Sequence, residues 1–147
     1  MKAKNLKLIA RTTDDLRVVS AYLQDAIANL SEIANLERNK IFIMQLNRFM
    51  WEDLEKGILR KNKRIRSVLK FENVIKVHSK NIDYSKKDKF LDFLTIETNQ
   101  MPDNNYEMKI VFAGDSIIKV LSEVIEVTLD DQGEPWDTKN IPRHKVI

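Results

Sequence analysis

The sequence predicts an α+β fold: a bent, mainly antiparallel sheet or partial barrel packed against one N-terminal amphipathic helix. Three observations predict it. Residues 16–30 carry one apolar stripe at helical spacing, and from residue 33 onward short runs rich in β-branched and aromatic residues alternate with polar turns. The length of 147 residues, with 43% hydrophobic and 32% charged, suits a single domain over residues 1–147 with one core.

Taken in order, residues 6–10 read as a short strand, and Thr12 with Asp15 three residues later forms a capping box. Leu16, Val19, Leu23, Ala26, Ile27 and Leu30 then recur at spacings of three and four, with Arg17, Ser20, Gln24 and Asp25 on the other side. This predicts a helix over residues 13–30. A single apolar stripe implies a single buried face, so the helix should lie on a sheet.

Residues 33–36 and 40–49 flank Glu37-Arg38-Asn39, a connection of hairpin length. Phe42, Met44 and Leu46 alternate onto one face, and Ile41 and Ile43 onto the other. Residues 51–57 fit one helical turn ending at Gly57. In the next strand Ile65, Ser67, Leu69 and Phe71 share a face. Alternation breaks at Glu72-Asn73 and resumes through Ile75 and Val77, as expected for a bulge or bend in one long strand.

Residues 90–98 and 106–113 read as two more strands joined by a polar loop containing Pro102, after which Gly114-Asp115 turns the chain. Residues 117–129 fit a helical stripe through Ile117, Leu121, Val124, Ile125 and Thr128. Strand is favoured, because seven of those thirteen residues are β-branched and lose side-chain entropy in a helix. From Asp130 the chain reads as irregular coil pinned at Trp136. The expected total is six to eight strands.

Cysteine is absent, which excludes disulfides, thiolate metal sites and a cysteine nucleophile, and fits a reducing compartment. The run Leu8-Ile9-Ala10 falls short of the roughly 7 to 15 apolar residues of a signal-peptide core. No stretch approaches the roughly 18 apolar residues of a membrane span. The expected location is the cytoplasm.

The net charge of +3 conceals a polarity: residues 56–89 hold twelve Lys and Arg against three acids, and residues 92–137 hold eleven acids against two lysines. In an antiparallel sheet such segments can neutralise each other across strands. The basic run at residues 60–66 is dense enough to survive that cancellation, so Arg60, Lys61, Lys63, Arg64 and Arg66 form a candidate binding patch. Trp51 and Trp136 are candidate aromatic anchors, with burial in the core as the alternative.

Glycine occurs only at positions 57, 114 and 133, which excludes P-loop and dinucleotide-type phosphate cradles. His78 and His144 each stand alone, without a second ligand at metal spacing. Asp130-Asp131 with Glu134 lacks the alternate oxygen ligands of a calcium loop. Gly114-Asp115-Ser116 lacks the spacing of a nucleophile elbow. No catalytic residue, metal site or cofactor is assigned.

Several segments together carry a resemblance: Leu46-Asn47-Arg48-Phe49 with Trp51-Glu52, Arg66-Ser67 with Leu69, Phe71-Glu72 and Val74, Phe112-Ala113-Gly114, and Gly133-Glu134-Pro135-Trp136. In order and spacing the chain resembles an uncharacterised alphaproteobacterial family of similar length, the domain of unknown function 2948 family. The resemblance implies a bacterial cytoplasmic protein and brings no catalytic or binding residue with it. The run from Ile65 through Leu69 and Phe71 to Val74, Ile75 and Val77 also resembles pleckstrin-homology-like barrels, an analogy of fold alone.

Function is therefore read by class. A non-enzymatic interaction module comes first, its partner a protein or a second copy joined through an exposed strand edge. Nucleic-acid binding through residues 60–66 and an enzyme without a recognisable local motif are the alternatives.

Overall fold

The computed structural model describes residues 5–52 and 62–139. Strand β1 (Lys7–Ala10) leads into helix α1 (Thr13–Leu23), followed by β2 (Ile27–Leu36), a 3-10 turn (Glu37–Asn39) and β3 (Ile41–Phe49). Next come β4 (Lys63–Phe71), β5 (Val74–Lys80), β6 (Phe90–Gln100), β7 (Tyr106–Phe112), β8 (Ile117–Ser122) and β9 (Val127–Asp137). All nine strands join one antiparallel sheet in the order β1-β9-β4-β3-β2-β6-β7-β8-β5. The sheet is bent and is not closed into a barrel, and the strand total exceeds the expected six to eight.

Helix α1 starts where the capping residues place it. Thr12 Oγ1 accepts the Asp15 amide at 3.1 Å, and the Asp15 carboxylate accepts the Arg11 amide at 2.9 Å. Replacing Thr12 with alanine leaves one first-turn amide without its acceptor. The expected loss is about 1 kcal/mol, read from urea unfolding. Leu16, Val19 and Leu23 are buried, and α1 packs mainly on β6 with β1 and β3 beside it. Ser20 Oγ also accepts the Ile96 amide at 3.2 Å, tying the helix to β6.

The helix is shorter than the expected 13–30. It ends at Leu23, Asp25 turns the chain with φ of 62°, and Ala26, Ala28 and Leu30 are buried alternately as strand. A spacing of four, as between Ala26 and Leu30, satisfies both helical and strand periodicity, so the stripe ran past the true boundary.

The expected long bent strand is two strands. Asn73, with φ of 56°, breaks the run so that β4 pairs with β3 and β9, while β5 pairs with β8. Residues 117–129 are strand as favoured, divided into β8 and β9 by a turn at 123–126. The tail from Asp130 is not coil: β9 continues to Asp137 against β4. Gly133 (φ 72°) and Pro135 fall where the β4–β9 register shifts, between the pairs Arg66↔Gln132 and Arg64↔Trp136. There the ladder is already interrupted, so proline forfeits no bond. Gly114 and Asp115 both have positive φ (79° and 63°), as the hairpin between β7 and β8 requires. Trp51 and Glu52 have helical backbone, and the rest of the turn expected through Gly57 lies outside the described residues.

The core unites the helix stripe with inward residues of the bent sheet, among them Phe42, Met44, Phe71, Phe93, Phe112 and Val127. The bend is centred on β6, whose first residues pair with β2 and whose remainder pairs with β7.

Candidate functional site

Strand β2 follows β6 only through Ile27, Ala28 and Asn29, after which the Leu30 amide donates to the Lys89 carbonyl at 3.1 Å. There the strand is deformed: five steps from Ala28 to Ile33 match only two, from Leu46 to Met44, on β3. The Asn29 side chain accepts both the amide (2.9 Å) and the hydroxyl (2.8 Å) of Ser31, a local bond that competes with ladder pairing. Beyond this bulge, β2 pairs with β3 alone, and its other edge is unpaired among the described residues.

Strand β5 provides a second open edge. It pairs with β8 on one side, and on the other, among the described residues, only its first residue bonds, the Val74 amide donating to the Lys40 carbonyl at 2.9 Å. That bond closes one end of a gap between β5 and the far half of β2. The connection over residues 81–89 closes the other end, and its conformation is fixed by several bonds. Asn81 Nδ2 donates to the Asp115 carbonyl at 2.9 Å, Ser116 Oγ donates to the Asn81 carbonyl at 2.9 Å, and the Tyr84 and Ser79 hydroxyls bond each other. Hydrogen bonds from Ser85 hold the Asp83 carboxyl below the ordinary carboxylate range, with Lys86 and Lys89 adding to the effect. Between these boundaries lies a groove of about 400 Å³ with Ile33, Phe42 and Val77 as its apolar lining and Asn35, Ser79 and Lys87 at its polar margin.

The outer surface beside β5 is basic. Lys109 of β7 lies opposite Lys119 of β8, which lies opposite His78 of β5. Lys76 and Lys80 flank His78 on the same face, and Lys86, Lys87 and Lys89 follow in the connection, all exposed. None of these seven lysines has an ion pair among the described residues.

A second polar assembly lies inside the molecule. Arg48 is fully buried and donates through Nε and one terminal nitrogen to both Asp131 oxygens, each at 2.8 Å. It also donates to both Glu52 oxygens, at 3.0 and 2.9 Å, and its guanidinium carbon lies 5.5 Å from the Tyr22 ring centroid. Ser67 Oγ (2.6 Å) and the Leu6 amide (3.1 Å) complete the shell of Asp131. Burial works to raise the Asp131 carboxyl, but hydrogen bonds from Arg48 and Ser67 and the Arg48 charge outweigh it, leaving the group below its ordinary range. Burial likewise opposes the Arg48 charge, and its two carboxylate partners hold it above its ordinary value. Both carboxylate oxygens of Asp131 are occupied internally, so this assembly acts as a fastening between β3, β4, β9 and Glu52, three residues beyond β3, rather than as an open site.

Of the basic run identified in the sequence, Lys63, Arg64 and Arg66 lie among the described residues. Lys63 sits opposite Asp137 and Arg66 is exposed opposite Gln132. Arg64 turns inward, donating to the Asn47 carbonyl at 3.0 Å, with its guanidinium 6.0 Å from the Phe49 ring centroid. Arg60, Lys61 and His144 lie outside the described residues. Trp51 is half-buried, meets Phe49 edge-on at 4.6 Å and donates from Nε1 to the Gln24 carbonyl at 2.9 Å, so its indole is committed within the fold. Trp136 is 41% exposed, opposite Arg64. Among the described residues no group of three or more His, Asp or Glu is placed to hold a metal ion, and no helix is long and apolar enough to cross a membrane.

Fold and groove together define an α+β protein whose single bent antiparallel sheet leaves an edge strand open beside an apolar groove. The chain belongs to the family described as "Protein of unknown function (DUF2948)", which matches residues 6–144 and bears out the resemblance carried by the Leu46–Glu52 and Gly133–Trp136 segments. No curated protein and no solved structure matches the chain.

Proposed function

We propose that this protein is a non-enzymatic interaction module of the bacterial cytoplasm that takes up an extended segment of a protein partner in the groove between β2 and β5. The observation that carries the reading is the pair of unpaired strand edges facing one groove. Unpaired backbone groups at an edge are a template for another strand, whose amides and carbonyls supply affinity while alternate side chains enter the adjacent groove. The buried Arg48–Asp131 pair supports a non-enzymatic reading, since its hydrogen-bonding capacity is used inside the fold.

The test is selection of extended peptides from a random library, followed by binding to variants that fill the groove. Ser79→Trp and, separately, Asn35→Trp place a large ring at exposed positions on opposite walls. Selected peptides are expected to lose about tenfold or more in affinity on both variants, the equivalent of roughly 1.4 kcal/mol. Unchanged binding to both would remove the groove as the site.

A further inference from the structure

We infer that the segment bound along β5 is an acidic extended peptide from a different protein, with acidic and apolar residues in alternation. This rests on the reading of the groove as a strand-uptake site and adds the chemistry of the occupant.

Lys109 and Lys119 are directly opposite each other, and Lys119 is directly opposite His78, so a row that begins at Glu97 of β6, opposite Lys109, runs basic across β7 and β8 to the open edge of β5. Like charges directly opposite one another on a sheet face destabilise it, and here no acid of the described residues forms an ion pair with either lysine. The next position in that row lies on whatever strand pairs with β5. A carboxylate there would stand opposite His78 and diagonal to Lys76 and Lys80, giving the β5 end of the row the acid that Glu97 gives its β6 end.

The other face of the same added strand meets different chemistry. Val77 and Ser79 lie on the groove side of β5, with Ile33 and Phe42 across from them. Because successive side chains of a strand point to opposite faces, a peptide with carboxylates toward the basic row presents its intervening residues to this apolar lining. Charge on one face and apolar lining on the other therefore specify an alternating sequence.

The same row argues against a second copy of this chain as occupant. An antiparallel β5–β5 pair centred on His78 would set Lys76 of each copy opposite Lys80 of the other. Nucleic acid would satisfy the lysines but leave the strand edge and the apolar lining without partners. The peptide answers all three features.

The probes are a short peptide alternating valine with glutamate, its twin alternating valine with lysine, and a single-stranded oligonucleotide of matched charge. Binding is read by fluorescence anisotropy against wild type, Ser79→Trp and Lys76→Glu/Lys80→Glu. Both lysines are exposed, so the double variant should fold, which its circular dichroism checks. The glutamate peptide is expected to bind wild type, to weaken about tenfold or more on the lysine reversal, and to weaken further as salt screens the exposed charges. Equal binding of the lysine twin overturns the acidic occupant while leaving strand uptake standing. If neither peptide binds, the acidic alternating occupant is overturned; if binding persists undiminished on Ser79→Trp, the strand-uptake reading itself fails. Tighter binding of the oligonucleotide, lost on the same lysine reversal, overturns the inference in favour of nucleic acid.

Discussion

Replacing Arg48 with alanine is expected to lower the unfolding free energy by about 3–5 kcal/mol, a large part of the roughly 5–15 kcal/mol available to a domain. The reason is what remains behind. Asp131 keeps Ser67 and the Leu6 amide, but its side chain is only 2% exposed and would hold a negative charge with no counter-charge bonded to it. Glu52, with 23% side-chain exposure, can turn toward water and adds less to the cost.

The pH dependence of this loss carries a sign. In the wild type the folded-state Asp131 carboxyl is held below its unfolded value, so its contribution is present above the unfolded range near pH 4 and is lost as pH falls through the lower folded value. In Arg48→Ala the desolvation that burial imposes is no longer outweighed by the guanidinium. Protonation then relieves the buried charge, so the deficit relative to wild type should begin to narrow above about pH 4, as the variant's carboxyl takes up its proton, and should go on narrowing below it as the wild type loses its own contribution. Urea unfolding of both proteins across the acid range measures the two curves. A deficit that stays constant through that range would show that the effect is lost packing alone.

Replacing Phe93 with alanine is expected to cost about 3–5 kcal/mol, for a different reason. Phe93 is fully buried, meets Phe112 edge-on at 6.4 Å between centroids, and sits at the bend of β6. Its amide donates to the Ala26 carbonyl at 2.8 Å and its carbonyl accepts the Asp25 amide at 2.9 Å, so the cavity would open where the helix hands over to β2. Phe90, three residues earlier on the same strand but 61% exposed, serves as the control. Its alanine variant is expected to stay within about 0.5 kcal/mol of wild type. Denaturation midpoints of the two variants, with an unchanged denaturant slope, separate burial from the mere loss of a phenyl ring.

Much of the architecture was legible because this chain signals its strands locally. The β2–β3 hairpin, the two strands around Pro102 and the turn at Gly114-Asp115 all lie where alternation and turn residues put them. What escaped was set by distant partners. The helix stripe continued into β2 because Ala26 and Leu30 fit both periods, and β9 looked irregular because Gly133 and Pro135 occupy a register shift that only pairing with β4 defines. The Arg48–Asp131 fastening left a trace. Arg48 continues the buried phase of Phe42, Met44 and Leu46, Ser67 shares the face of Ile65 and Leu69, and Asp131 continues that of Val127 and Leu129. Three polar residues at inward positions had to find one another, but only the strand order β9-β4-β3 brings them together.

The candidate site was less legible still. Lys76, His78 and Lys80 read as an ordinary solvated strand face. Their meaning comes from Lys119 and Lys109, which lie 39 and 29 positions beyond Lys80 in sequence and adjoin β5 only through the sheet. Density of charge pointed instead to residues 60–66, where Arg64 proves to be engaged with Asn47 and Phe49 and Lys63 faces Asp137.

Native-state amide hydrogen exchange with and without the valine–glutamate peptide shows whether β5 takes up a strand. In the free protein the open-edge amides of β5 lack ladder partners and should exchange fast, while those bonded to β8 are protected. With peptide bound, new protection is expected along residues 75–80, accompanied by slower exchange on the facing half of β2 at residues 31–35. Protection that appears instead around Tyr22 and Trp51, or binding that leaves residues 75–80 unchanged, would contradict uptake of a strand at this edge.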